Sequence, residues 1–300
     1  MCVTVNRPIT HCFAMNTSIP FDAAHSMLGK QAIYQDTYAP ELLFPIARQG
    51  KRSEIGIRAN ALPFVGEDLW NAYELSWLDP RGKPAVALAR FHVSASSPNL
   101  IESKSLKLYL NSFNQERMSG PDALRETIEN DLSNAAGKTV TVEILPLRAH
   151  LARRFADSEG FCLDGLDVDI DTYQLCPDVL RAGGEQVTET LYSHLLKSNC
   201  PVTGQPDWGM LAVRYTGPLI DRAGLLRYIV SFRRHSEFHE HCIERVFCNI
   251  LERCKPTVLA VWARYTRRGG LDINPFRATP PERGREDNGG WNEVESEIRQ

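Results

Sequence analysis

Apolar and polar positions alternate through Asp68-Leu69-Trp70-Asn71-Ala72-Tyr73-Glu74-Leu75-Ser76-Trp77-Leu78, and the three large aromatics there suit a strand. Asp79-Pro80-Arg81-Gly82-Lys83-Pro84 supplies a turn, and Ala85 to Ala95 predicts a second strand, so the two read as a hairpin. The period then lengthens. After Gly120-Pro121-Asp122, the residues Leu124, Ile128 and Leu132 share one helical face, with Asp122 as the cap and Gly137 as the stop. Val140 to Leu145 returns to alternation and predicts a strand.

The second half repeats the first. Ile101, Leu106, Tyr109, Ser112 and Phe113 fall on Ile220, Leu225, Tyr228, Ser231 and Phe232, and Glu102 faces Asp221. The same separation carries Leu124, Ile128 and Leu132 onto Ile243, Phe247 and Leu251, and Val140 and Val142 onto Leu259 and Val261, without a gap. A period this long means a duplicated domain rather than a solenoid. Each copy reads hairpin, helix, helix, strand, strand: an α+β fold, with an antiparallel sheet and helices on one face. The organisation expected is an N-terminal arm (1–60), a first copy (61–150), an Asp- and Gly-rich connection (151–190), a second copy (191–278) and a mobile polar tail (279–300). Where the second copy carries His239-Glu240 the first has Gly120-Pro121, and where the first carries Lys104 and Lys107 the second has Ala223 and Leu226. The copies have either drifted on a solvated surface or specialised toward one shared site.

Composition narrows the partners. Hydrophobic content of 43% and charged content of 24% are ordinary for a soluble chain, and a net charge of -3 argues against coating nucleic acid or an anionic membrane. No apolar run approaches the ~20 residues of a membrane span. Met1 to Pro8 lacks the features of a secretory signal, and the 8 cysteines form no CxxC pair, so a reducing cytoplasm fits. The alternating carboxylates from Cys162 to Asp171 lack the glycine and terminal glutamate of a calcium loop and read as a solvated face.

Four stretches carry candidate chemistry. Ser198-Asn199-Cys200-Pro201-Val202-Thr203-Gly204-Gln205-Pro206-Asp207-Trp208 joins a thiol and a carboxyl group through a turn punctuated by proline and glycine. Free cysteine is mostly protonated near neutral pH, so a carboxyl group that exchanges its proton makes a better nucleophile; a small buried core cysteine fits the same pattern. Glu102-Ser103-Lys104-Ser105-Leu106-Lys107 sets a carboxylate beside two ammonium groups, suited to the donor edge of a guanine and to phosphate, or to an exposed helical turn. His235-Ser236-Glu237-Phe238-His239-Glu240-His241-Cys242 invites a zinc reading, but His239 and His241 point to different sides of a helix, and Glu240 suits a second base-recognising carboxylate better. Arg267-Arg268-Gly269-Gly270 ends a strand with forks for phosphate and backbone open to a ligand, or with an ordinary surface turn.

Together these motifs resemble one family, the NADPH-dependent 7-cyano-7-deazaguanine reductases of queuosine biosynthesis in their long two-copy form. The resemblance runs from about residue 60 to 278. It rests on Glu102 to Tyr109, Ser198 to Pro201, Gln205 to Gly209, Glu237 to Glu240 and Arg264 to Pro275. It implies tandem tunnelling-fold domains, homodimers and no metal. It further implies Cys200 as nucleophile and Asp207 as proton donor, with Ile101, Glu102, Ser103, His239 and Glu240 around the deazaguanine and Ser103, Lys104, Arg268 and Gly269 on NADPH. A donor acid must hold its proton near neutral pH, so the expectation is an Asp207 pKa raised by burial or by a neighbouring carboxylate. Two rival readings are a zinc-dependent purine or pterin hydrolase of the same fold and an RNA-binding module using Arg267 and Arg268.

Overall fold

The computed structural model describes residues 34–148, 159–280 and 300; the expected tail, apart from residues 279, 280 and 300, and residues 1–33 of the expected arm lie outside them. In chain order the elements are β1 (Pro45–Ala47), α1 (Gln49–Glu54), β2 (Val65–Leu78), β3 (Pro84–Ser94), β4 (Asn99–Ile101), α2 (Ser103–Asn111), α3 (Pro121–Ala136) and β5 (Val140–Leu145). The second half follows with β6 (Phe161–Cys162), β7 (Ala182–Asn199), β8 (Pro206–Ile220), α4 (Arg222–Ser231), α5 (His239–Cys254), β9 (Val258–Tyr265) and β10 (Leu271–Ala278). The class is α+β, as the periodicity predicts.

Eight strands form one sheet in the order β5-β3-β2-β10-β9-β8-β7-β6, antiparallel except where β6 meets β7. The last strand joins the halves: β10 pairs with β2 from Leu271↔Ala72 to Ala278↔Val65 while its other edge pairs with β9. Helices cover one face. Leu124, Ile128, Leu132 and Ala136 of α3 pack with Leu106, Tyr109 and Leu110 of α2 over the first half of the sheet. Ile243, Val246, Phe247 and Ile250 of α5 pack with α4 over the second. Each helix thus buries one stripe on the strands of its own copy, which is why the apolar positions recur three and four apart.

The duplication reaches single hydrogen bonds. Ser112 Oγ donates to the Tyr109 carbonyl (2.6 Å) and accepts from the Ala39 amide (3.2 Å). Ser231 Oγ donates to the Tyr228 carbonyl (2.6 Å) and accepts from the Cys176 amide (3.2 Å). Tyr109 meets Phe113 edge-on, as Tyr228 meets Phe232, each pair at 5.3 Å between ring centres. Short turns at Pro40–Leu42 and Pro177–Val179 then lead into β1 and β7, whose first residues pair with Ile101 and Ile220. Residues 39–47 and 176–184 therefore open the two copies alike, a correspondence that the constant-separation alignment does not reach.

One local expectation changes and another holds. Gly120, not Asp122, caps α3; Pro121 takes the first helical position and Asp122 lies in the first turn, where a negative charge suits the positive end of the helix. From Leu166 to Asp171 the carboxylates do alternate outward: Asp167, Asp169 and Asp171 are exposed while Leu166, Val168 and Ile170 pack on the core.

Candidate active site

A cavity of about 540 Å³ opens at the seam between the halves. From the first half it is lined by Ile101, Ser103, Lys104 and Lys107; from the second by Cys200, Asp207, His239, Glu240, Arg268 and Gly269. The divergence between copies noted in the sequence therefore converges on one cavity within one chain.

Three local devices aim these side chains. The first is the start of α2. Glu102 is fully buried, and its two carboxylate oxygens accept from the amides of Lys104 and Ser105, both at 2.8 Å. Its own amide donates to the Phe44 carbonyl at 2.9 Å, tying the cap to the residue just before β1. Ser103 and Lys104, in the turn so fixed, face the cavity, whereas Glu102 does not line it.

The second device is the β7–β8 turn. The Cys200 amide donates to the Gln205 carbonyl (2.8 Å) and the Gly204 amide to the Cys200 carbonyl (3.0 Å), with Gly204 at φ +68 where a Cβ is disfavoured. Ser198 pairs with Asp207 across the hairpin, so the thiol sits at the tip and the carboxyl group at the start of β8. Cys200 is 8% exposed and faces the cavity rather than the core.

The third device links that turn to α5. The Asn199 amide donates to the His235 carbonyl (2.9 Å) and the Asn199 carbonyl accepts from the Glu237 amide (3.1 Å). Glu237 is held in turn by both ends of the Arg245 guanidinium, at 3.0 and 2.6 Å, and by His235 at 2.9 Å. His235, Glu237 and Cys242 do bring possible ligand atoms within 4.8 Å of one another, but the Glu237 oxygens are already engaged in that ion pair. It orients α5. His239 and His241 diverge, as their spacing predicts: His239 faces the cavity, while His241 is buried beside Phe238 and burial lowers its pKa to about 4.

Electrostatics separate the two cavity carboxylates, and here one expectation is overturned. Burial alone would raise the Asp207 pKa. Its Oδ2 lies 3.3 Å from His239 Nε2, however, and its Oδ1 accepts from Arg268, and together these hold the carboxyl below its ordinary value. Asp207 is thus an anion near neutral pH, not a standing acid. Glu240 goes the other way: burial first, then the nearby charge of Asp68, raise it to about 7 against the pull of Arg48 and His239. Burial also lifts Glu102, against the two amides that it accepts.

Some contributors were not singled out from the sequence. Tyr265 forms a shelf on which His239 stacks at 3.8 Å and 11°. Trp70 and Phe238 supply apolar wall. Trp70 carries no signal beyond its place in a strand, whereas Tyr265 lies inside the Arg264–Pro275 motif. Arg267 lies over the Tyr73 ring at 3.5 Å and does not line the cavity, while Arg268 does.

The residues also fit a phosphorylated cofactor. Lys104, Lys107 and Arg268 bring cations to the cavity wall. Gly269, at φ +58, brings the backbone so close that a Cβ would lie 3.3 Å from the Lys107 side chain. A larger residue there would push that side chain by a few tenths of an ångström and strain the backbone at this φ.

Comparison with known proteins gives consistent matches. Residues 34–144 match the family model described as nitrile reductase, 7-cyano-7-deazaguanine-reductase N-term, and residues 206–283 match that of QueF-like protein. An NADPH-dependent 7-cyano-7-deazaguanine reductase of Azoarcus sp. is 70% identical over 88% of this chain and 94% of its own. The enzyme of the same name from Aromatoleum aromaticum is 62% identical over 88% of this chain and 95% of its own. Among solved structures, an apo archaeosine synthase QueF-Like aligns with 33% of this chain and 98% of its own at 14% identity and a TM-score of 0.29, too low to bear on the fold.

Proposed function

The chain belongs to the family of NADPH-dependent 7-cyano-7-deazaguanine reductases, and from that membership we propose how its cavity reduces a nitrile to a primary amine. The substrate is 7-cyano-7-deazaguanine and the product 7-aminomethyl-7-deazaguanine, a precursor of queuosine. The observation that carries the reading is that Cys200, Asp207 and Glu240 face one cavity.

Glu240 receives the base. An ionised carboxylate accepts two parallel hydrogen bonds from the N1–H and 2-amino edge of a guanine-type ring, and Ile101 and Ser103 close around it. Glu102 contributes through the backbone that it caps. Cys200 attacks the cyano carbon. A nitrile accepts hydride poorly, and forming the C–S bond converts it to a thioimide whose carbon is more electrophilic.

Asp207 moves the proton of that step. Starting as the anion, it takes the proton from the Cys200 thiol and returns it to the nitrile nitrogen, so the S–H bond breaks as S–C and N–H form. The first half of this relay needs Asp207 ionised, as its neighbours keep it, and His239 keeps the carboxylate aimed. Lys104, Arg268, Ser103 and Gly269 would hold NADPH, which when bound supplies hydride; the net reduction consumes two. Between the two reductions Cys200 leaves as thiolate, with collapse to the imine, and the site keeps the carbon in place while the spent cofactor exchanges.

At the coarser scale, the two copies form one site per chain, and the enzyme is a cytoplasmic homodimer. Among the described residues β5 pairs only with β3, and an open edge strand of this kind calls for a covering partner. Sedimentation at micromolar concentration tests the dimer: a monomer would remove it from the proposal.

The chemistry is tested by mixing protein and 7-cyano-7-deazaguanine without cofactor. The intact mass rises by one substrate, and Cys200→Ala abolishes the rise. A wild-type protein that binds the base and shows no adduct overturns the covalent route.

A further inference from the structure

Behind Glu240 lies a cluster of charged side chains almost sealed from solvent: Arg48, Arg52, Asp68, Glu244 and Arg277. Asp68 bridges Arg48 (2.5 Å) and Arg277 (2.8 Å), and Glu244 holds Arg52 (2.6 Å) and Arg277 (2.9 Å). Three guanidinium groups thus face two carboxylates. His241, alongside, is neutral at pH 7 and does not alter the count. These five carry one net positive charge, which an ionised Glu240 offsets.

The position of the surplus charge is specific. Arg48 spends Nη2 on Asp68 and Nε on Ser97, while its buried Nη1 makes no hydrogen bond among the described residues and lies 3.8 Å from Glu244. Arg48 and Glu240 line the same small cavity of about 10 Å³, whose walls Trp70, Leu100 and Ile101 also wall the active site.

We propose that Arg48 is a positioning residue for substrate recognition, its buried guanidinium supplying the counter-charge that keeps Glu240 ionised for the two-donor edge of the base. Resting as it does on Glu240 being the base receiver, the proposal needs a test that separates the two. The other charges facing Glu240 are Asp68 from β2, which opposes its ionisation, and His239 on its own helix, which favours it. Also lining the cavity, Asp207 and Arg268 form an ion pair of their own. Asp68 and Arg48 are in contact, yet they act on Glu240 with opposite sign, and that makes the idea falsifiable.

The experiment titrates 7-cyano-7-deazaguanine calorimetrically into a Cys200→Ala background, which forms no adduct, from pH 5.5 to 8.5. The parent affinity is flat above the Glu240 pKa and falls about tenfold per pH unit below it. Arg48→Gln moves that break upward by about one unit, Asp68→Asn moves it downward, and Arg48→Lys leaves it within a few tenths. A merely structural role weakens binding in both variants without moving the break in opposite directions; that result, or an unmoved break in Arg48→Gln, overturns the proposal. Circular dichroism shows whether Arg48→Gln has folded. If it has not, Arg48→Lys and Asp68→Asn decide, and a break that does not fall in Asp68→Asn is equally fatal. Glu240→Gln runs separately: undiminished affinity there removes the base-receiver reading itself, whatever Arg48 does.

Discussion

Asp207 lies between an imidazole and a guanidinium, and these two neighbours decide when it can hold a proton. Since it rests as the anion, Asp207→Asn removes the group that deprotonates Cys200 without removing the walls that bind the base. Adduct formation should slow by about 10²–10⁴-fold in stopped-flow mixing while the non-covalent dissociation constant changes little. Equal losses in both would make Asp207 a binding residue instead. The acid limb of kcat/KM should fall near 7 and follow Glu240, so it persists in whatever activity Asp207→Asn retains. At this scale the sequence conveys residue types and motifs well: nine of the ten site residues named there face one cavity, with Glu102 turned to its helix. It misjudges the Asp207 proton because that depends on His239 and Arg268, which are distant in the chain and brought close only by folding.

The start of α2 is the element on which the first-half contribution depends. Truncating its cap with Glu102→Ala orphans two amides and should cost about 1–2 kcal/mol, lowering Tm by a few degrees. Because Ser103 and Lys104 ride on that turn, KM for NADPH should rise several-fold as well. An unchanged KM with a lowered Tm would separate the cap from the cofactor. Strands and helices are legible here because the far end of β3 and all of α3 bury a regular stripe, whereas β2 is buried on both faces from Asp68 to Ala72. The placing of β10 between β2 and β9 is not legible, since Leu271 meets Ala72 through long-range pairing that no local pattern encodes.

Across the whole molecule, the seam that carries the site also carries buried charge, and pH acts on it in two windows of opposite sign. Glu244 is held down to about 2 by Arg277, Arg52 and Arg48 despite its burial. A carboxylate lowered in the folded state contributes stability above its ordinary value near 4.5 and loses it as pH falls toward 2. Glu244→Gln strands two arginines and should cost about 3–5 kcal/mol at pH 7, with the gap to wild type narrowing below pH 4.5. Glu240 is raised, so its contribution is full below 4.5 and is lost as pH climbs through about 7. Glu240→Gln should therefore match wild type near pH 4 and melt several degrees higher at pH 8, although it binds the base poorly. A binding site is where a protein keeps a charge that folding alone would discard. A Glu240→Gln enzyme no more stable than wild type at pH 8 would mean that the Arg48 cluster already relieves the whole burden of that buried carboxylate.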